Sequence, residues 1–271
     1  EIASCLVGSE MCIRDSPMRT PMPTIDINCD MGESFGSWTM GQDLEILPHI
    51  TSANIACGFH AGDPEVMLKT VQAAIATNVA LGAHPGLPDL QGFGRRAMAL
   101  SAAEVYSLVV YQVGALQAFA QTQGTMLHHV KTHGALYNMT ARDVALARAV
   151  VQAVHDVDRG LLVYVANENM ARAAQDIGLS VAFEVYADRT YQDDGTLTPR
   201  SQPHAMIEDV DQAIAQVKRM VREGVVRALS GRDVPIAADT LCIHGDQPGA
   251  VHFAQRIRAA LEADGIAVRA V

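Results

Sequence analysis

The stretch Ile25-Asp26-Ile27-Asn28-Cys29, running directly into Asp30-Met31-Gly32-Glu33, is the unit on which the reading of this chain turns. A short, largely apolar run of strand-like residues stops at carboxylates. The arrangement recurs along the chain: Ser52 to Cys57 runs into His60 and Asp63, and Val79 to Ala83 ends at His84. Met126 to Val130 ends at Lys131 and His133, and Leu161 to Val165 precedes Asn167, Glu168 and Asn169. Val181 to Phe183 leads to Glu184, Asp188 and Arg189, and Thr240 to Ile243 ends at His244 and Asp246.

Segments with helical spacing fill the gaps. Pro64 to Asn78 follows Asp63, an N-cap residue with proline at the first helical position. Ser101 to Gln123 opens on the capping box Ser101-Ala-Ala-Glu104, and Gly124 ends it. Ala141 to His155, Glu168 to Asp176, Glu208 to Leu229 and Gln247 to Ala263 complete the alternation. Strand alternating with helix implies a parallel sheet with right-handed crossovers. Seven such units predict an α/β fold, a distorted seven-stranded (β/α) TIM-like barrel, with a doubly wound open sheet as the alternative. In a barrel of parallel strands the carboxyl ends open on one face, so these ionisable groups converge on one pocket.

Of the 271 residues, 49% are hydrophobic and 5% aromatic, which predicts a single domain with an aliphatic core. The net charge of −10 and the lack of a Lys/Arg block argue against nucleic acid or an anionic membrane as partner. No apolar run approaches the ~18 residues of a spanning helix. Five cysteines without a C-x-x-C pair point to a reducing cytoplasm rather than a disulfide framework. Residues 1–21 resemble translated sequencing-adaptor sequence and are read as a non-native or disordered leader, leaving residues 22–271 as one catalytic domain.

Each candidate has a structural alternative. Asp63 and Asp246 can be no more than helix caps, Arg189 a partner for Asp188, and His128 or His129 packing between sheet and helix. Lys131 and His133, two apart, can both face the barrel interior, as can Glu184 with Tyr186 and Asp188. The loops 84–96 and 191–200, rich in glycine and proline, follow strand ends and can close over a ligand. Neither a P-loop, a dinucleotide-binding glycine run nor an H-E-x-x-H helix occurs. The residues alone predict acid/base or metal-assisted hydrolysis of a small polar substrate.

The strings Asn28 to Gly36, Thr51 to Pro64, Gly82 to Gly86, Gly92 to Arg96, His133 to Asn138, Glu184 to Arg189 and His244-Gly-Asp246 resemble the LamB/YcsF family over about 24–265. The family usually has proline at Thr132 and glycine at His204. The resemblance implies a barrel of the glycoside hydrolase/deacetylase type. It also implies cleavage of 5-oxo-L-proline to L-glutamate coupled to ATP as co-substrate, in a complex with B and C subunits. On that reading Asp30, Glu33, His60, His84, Lys131, His133, Glu184 and His244 are the catalytic candidates. Asn28, Asp63, Arg95, Asp188, Arg189 and Asp246 are the substrate-binding candidates. Lys131 is expected to hold the substrate carboxylate or a phosphate, and Asp30 or Glu184 to activate water. A divalent metal, magnesium or zinc, would fall to Asp30, His60 and His84. Two alternatives remain: a metal-dependent amide or polysaccharide deacetylase, and a non-catalytic lactam-binding subunit.

Overall fold

The computed structural model describes residues 22–245 and 249–271, so the leader 1–21 and Asp246 lie outside the described residues. The strands are β1 (Thr24–Met31), β2 (Ser52–Ala56), β3 (Ala80–His84), β4 (His129–Val130), β5 (Leu162–Val165), β6 (Val181–Tyr186), β7 (Val225–Arg227), β8 (Asp233–Pro235), β9 (Thr240–Ile243) and β10 (Ala267–Val268). The order β1-β2-β3-β4-β5-β6-β9 is parallel throughout, and β9 pairs back onto β1 through Asp26↔Thr240 and Asn28↔Cys242. The sheet closes into a seven-stranded barrel and the open-sheet alternative falls. Strand β10 adds to the start of β1 outside the ring, while β7 and β8 form a separate antiparallel ribbon.

Around the barrel run α1 (Asp43–Ile46), α2 (Pro64–Ala76), α3 (Ala102–Thr122), α4 (Gly134–Thr140), α5 (Val144–Val157), α6 (Glu168–Asp176), α7 (Val210–Glu223) and α8 (Ala250–Ala263). Asp63 caps α2 by accepting from the amides of Glu65 and Val66, and both halves of the Ser101–Glu104 box are made on α3. The apolar faces of α3 and α5, among them Val109, Val113, Leu116, Val150 and Val154, are buried. The helix expected over 208–229 is shorter: Gly224 takes a left-handed conformation (φ 66°) after α7, and the chain turns into β7. Helices α1 and α4 carry no sequence signal of their own, because both are short and lack a full apolar period.

The inside of the barrel departs from the usual packing of branched apolar side chains. Asp26 and Asn28 on β1, Ser52 and Asn54 on β2, His129 on β4, Tyr164 on β5, Glu184 on β6 and Thr240 on β9 are all buried. They satisfy one another. Asp26 accepts from the hydroxyls of Thr51, Ser52, Tyr164 and Thr240, which offsets the cost of burying a carboxylate. Asn28 donates to Thr240 at 2.7 Å and accepts from Asn54 at 2.8 Å.

Candidate active site

Above this layer the strand ends meet in a cavity of about 260 Å³ lined by Asp30, His84, Lys131, His133, Tyr137 and His244, with Arg95, Arg189 and Arg200 also in its wall. The ends of β1, β3, β4, β6 and β9 thus converge on it, whereas Asn167, Glu168 and Asn169 after β5 do not line it.

Lys131 leaves β4 and ends between two carboxylates, its Nζ 3.0 Å from Asp30 Oδ1 and 2.8 Å from Glu184 Oε1. The same ammonium lies 3.2 Å from Asn28 Oδ1 and 3.2 Å from Cys242 Sγ. Burial opposes its charge, but Asp30, Cys242 and Glu184 around it hold its pKa well above the ordinary lysine value. Three N–H donors facing four internal acceptors leave no donor to spare. The ammonium thus bridges Asp30 and Glu184 at the cavity wall. Glu184 accepts on its other oxygen from Tyr137 at 2.8 Å and Tyr186 at 2.7 Å. Burial disfavours the Asp30 carboxylate, yet His84 and Lys131 outweigh it and hold the group well below the usual carboxylate range.

Beside Asp30 is a group of three imidazoles and a carboxylate. The nearest ligand atoms of Glu33, His60, His84 and His133 all lie within 4.8 Å of one another. The rings of His60 and His133 stack at 3.7 Å, and Gly86 is so close that a Cβ there would sit 2.6 Å from His60 Nδ1. Burial drives the pKa of His60 well down and that of His133 down to about 3, so both rings are neutral. His84 Nδ1 faces the Lys131 carbonyl at 2.7 Å and His133 Nε2 faces the Phe93 carbonyl at 2.8 Å, so both atoms must carry hydrogen. Their other nitrogens then face each other at 2.9 Å, lone pair to lone pair if both rings are neutral. The pair needs a third proton or a cation, and Asp30 Oδ2 stands 3.3 Å from His84 Nε2 to balance it. Both ring nitrogens of His60 are buried with no hydrogen-bond partner among the described residues. An orphaned imidazole beside two opposed lone pairs fits a metal site. Three imidazoles and one carboxylate suit zinc rather than magnesium. Of the set expected from sequence, His60 and His84 fall in this cluster together with Glu33 and His133, while Asp30 borders it, with Oδ1 on Lys131 and Oδ2 facing His84.

On the opposite wall His244 Nδ1 donates to Asp188 Oδ2 at 2.8 Å, which leaves Nε2 as a lone pair accepting from Arg200 at 3.2 Å. The other candidates are placed as follows. Arg95 lines the cavity with its guanidinium 4.9 Å from the Phe93 ring centre. Arg189 donates to the carbonyls of Thr198 and Ala205 and so anchors the loop that carries Arg200. Asn28 is buried beneath Lys131, away from the cavity wall. Asp63 gives one oxygen to the α2 cap and the other to the Gly36 amide at 2.7 Å. That bond ties down the turn after Glu33, where Trp38 stands 65% exposed. Tyr137, Arg200 and Asn54 are not among the candidates that sequence nominates. Tyr137 sits on the short α4 and Arg200 deep in a loop, whereas Asn54 is visible as a polar residue at mid-strand.

A closed β/α barrel with buried carboxylates, a lysine and an imidazole cluster at the carboxyl ends of its strands defines a TIM-like barrel protein with one polar site at its mouth. The profile of the LamB/YcsF family matches residues 25–271, and the chain belongs to that family. It is 76% identical over 250 residues to the second of the 5-oxoprolinase A subunits of Bordetella bronchiseptica, covering 92% of this chain and 100% of the relative. It is 58% identical over 248 residues to the 5-oxoprolinase A subunit of Bacillus subtilis, covering 91% of this chain and 96% of the relative. The crystal structure of the lactam utilization protein from Thermus thermophilus superposes with a TM-score of 0.88 at 49% identity, covering 92% of this chain and 100% of that one.

Proposed function

We propose that this chain is the A subunit of an ATP-dependent 5-oxoprolinase, which opens 5-oxo-L-proline to L-glutamate in the cytoplasm together with B and C subunits. The observation that carries the reading is the 76% identity over the full length of a relative bearing that name. The site suits the chemistry. An unstrained lactam carbonyl is a poor electrophile, and phosphorylation of its oxygen at the expense of ATP makes it one that water can attack. The sequence carries neither a P-loop nor a dinucleotide-binding glycine run, and turnover is expected to need the partner subunits. Asp30, held ionised beside His84 and Lys131 and lining the cavity, would take a proton from water, with Glu184 holding Lys131, Tyr137 and Tyr186 around it. His244, its tautomer fixed by Asp188, turns Nε2 to Arg200 and so holds that guanidinium at the opposite wall. Arg95 and Arg200 at the cavity wall supply positive charge for the substrate carboxylate. A divalent ion held by Glu33, His60, His84 and His133 would supply Lewis acidity to the lactam carbonyl.

The test is ATP-dependent glutamate release from 5-oxoproline by the purified chain, alone and mixed with the partner subunits. The expected result is little or no turnover alone and sustained turnover in the mixture. No turnover in the mixture overturns the assignment, and robust turnover by the single chain overturns the division of labour. The imidazole cluster favours one second reading, a metal-dependent amide deacetylase. Deacetylation of an N-acetyl substrate by the isolated zinc-loaded chain, without ATP, would select it.

A further inference from the structure

Asn54 has no exposed surface, yet every polar group of its side chain is engaged on a residue of the site or on a support for one. Its amide nitrogen donates to Asp30 Oδ1 at 2.8 Å and to Asn28 Oδ1 at 2.8 Å. These are the same two oxygens that receive Lys131 Nζ. Its amide oxygen accepts from His129 Nε2 at 2.8 Å. A side-chain amide can flip end for end at little steric cost, so something must decide which end faces Asp30. His129 does so. With the amide nitrogen donating to Asp30 and Asn28, the amide oxygen faces His129, so Nε2 is the ring nitrogen that carries hydrogen; burial, followed by the nearby His128 and Lys131, drives the ring's pKa well down and keeps it neutral.

The sequence allows His128 or His129 to pack between sheet and helix; the His129 ring instead lies inside the barrel, stacked on Tyr164 at 4.0 Å between centres. The space is made by Gly82 on the neighbouring strand, where a Cβ would lie 2.0 Å from His129 Nε2. Gly82, His129 and Asn54 therefore form one row across β3, β4 and β2 that ends on Asp30.

We propose that Asn54, oriented by His129, is the positioning residue for Asp30. It shares Asp30 Oδ1 with Lys131 and so turns Oδ2 toward His84 and the cavity. Without the amide donors, Asp30 Oδ1 keeps only Lys131, whose ammonium is shared among four acceptors, and the carboxylate is held less firmly. The inference rests on the reading of Asp30 as a catalytic carboxylate, and its test separates the two.

Asn54→Asp keeps the shape but replaces both donors by acceptors. His129→Leu removes the group that sets the amide, whereas His129→Gln keeps an N–H near the position of Nε2. Crystal structures of the variants read the positioning directly, without substrate. Asp30 Oδ1 is expected to leave Lys131 in Asn54→Asp and His129→Leu and to stay in His129→Gln. In the assembled complex, kcat for 5-oxoproline should fall at least tenfold in the first two with KM changed less than about threefold, and recover in His129→Gln. Should Asn54→Asp fail to fold, the two His129 variants decide the matter. Asp30 unmoved in His129→Leu, or a folded His129→Leu with wild-type kcat, overturns the proposal. A wild-type complex inert toward 5-oxoproline overturns the functional reading instead, while the crystal structures still decide the positioning.

Discussion

Lys131 illustrates how burial redefines a residue that sequence can only nominate. Its position at a strand end suggests a cation for the substrate. The structure surrounds it with Asp30, Glu184, Asn28 and Cys242, so its charge bridges the two carboxylates at the cavity wall. Lys131→Met therefore leaves two carboxylates facing each other with no cation between them. Breaking a buried pair from one side costs about 3–5 kcal/mol. An unfolding free energy lower by about that amount in urea titration, together with loss of turnover in the complex, is the expected result. A variant as stable as wild type would mean that the two carboxylates are compensated elsewhere. His60 makes the complementary case, a buried ring whose nitrogens lack hydrogen-bond partners among the described residues. Zinc titrated into metal-free protein should bind one ion per chain, followed calorimetrically, and His60→Ala should weaken binding at least tenfold. Unchanged affinity in that variant would remove His60 from the ligand set.

At the level of elements, the barrel strands and the long helices are legible because each carries its own signal. Apolar runs of strand length, Asp63 before Pro64 and the Ser101–Glu104 box are local and need no tertiary partner. The strand expected from Met126 is the instructive exception. It shrinks to His129–Val130, with Met126 64% exposed, because only those residues find pairing partners on both sides. The site residues are legible as types at strand ends, but which touches which is not, since Asn54, Asp30 and Lys131 are joined only by closure of the ring. His204 shows a partial signal. The family pattern has glycine there, and the backbone adopts φ 61°, a region glycine enters freely. Asp63 is legible both as cap and as candidate ligand, and the geometry shows the cap. Asp63→Ala should lower stability by about 1–2 kcal/mol, measured by urea unfolding, since it deprives two helix amides and the Gly36 amide of their acceptor. A change within error would show that water replaces the cap.

For the molecule as a whole, a polar barrel interior makes stability depend on pH. His129 is neutral in the fold, with its pKa well below the ordinary 6.5, whereas in the unfolded chain it takes up a proton near that value. Below about pH 6.5 the unfolded state therefore binds more protons, and stability falls as pH falls. Each such histidine contributes a slope of about 1.4 kcal/mol per pH unit. Urea unfolding between about pH 5 and about pH 7 should show the loss, and His129→Gln should reduce the slope by about one proton. An unchanged slope in that variant would place the titrating group elsewhere.

The exposed indole on the turn after Glu33 bears on how all these unfolding measurements are read. Trp38 is the only tryptophan in the chain, and it is already 65% exposed in the native fold. Its emission in the folded protein is that of an indole in water, so opening of the barrel passes almost unseen in tryptophan fluorescence. A flat fluorescence trace across a denaturant series would coexist with complete loss of the far-ultraviolet circular dichroism of the helices around the barrel. The same indole is instead a local reporter of the turn held by Asp63, silent to the core and sensitive to whatever changes its own hydration.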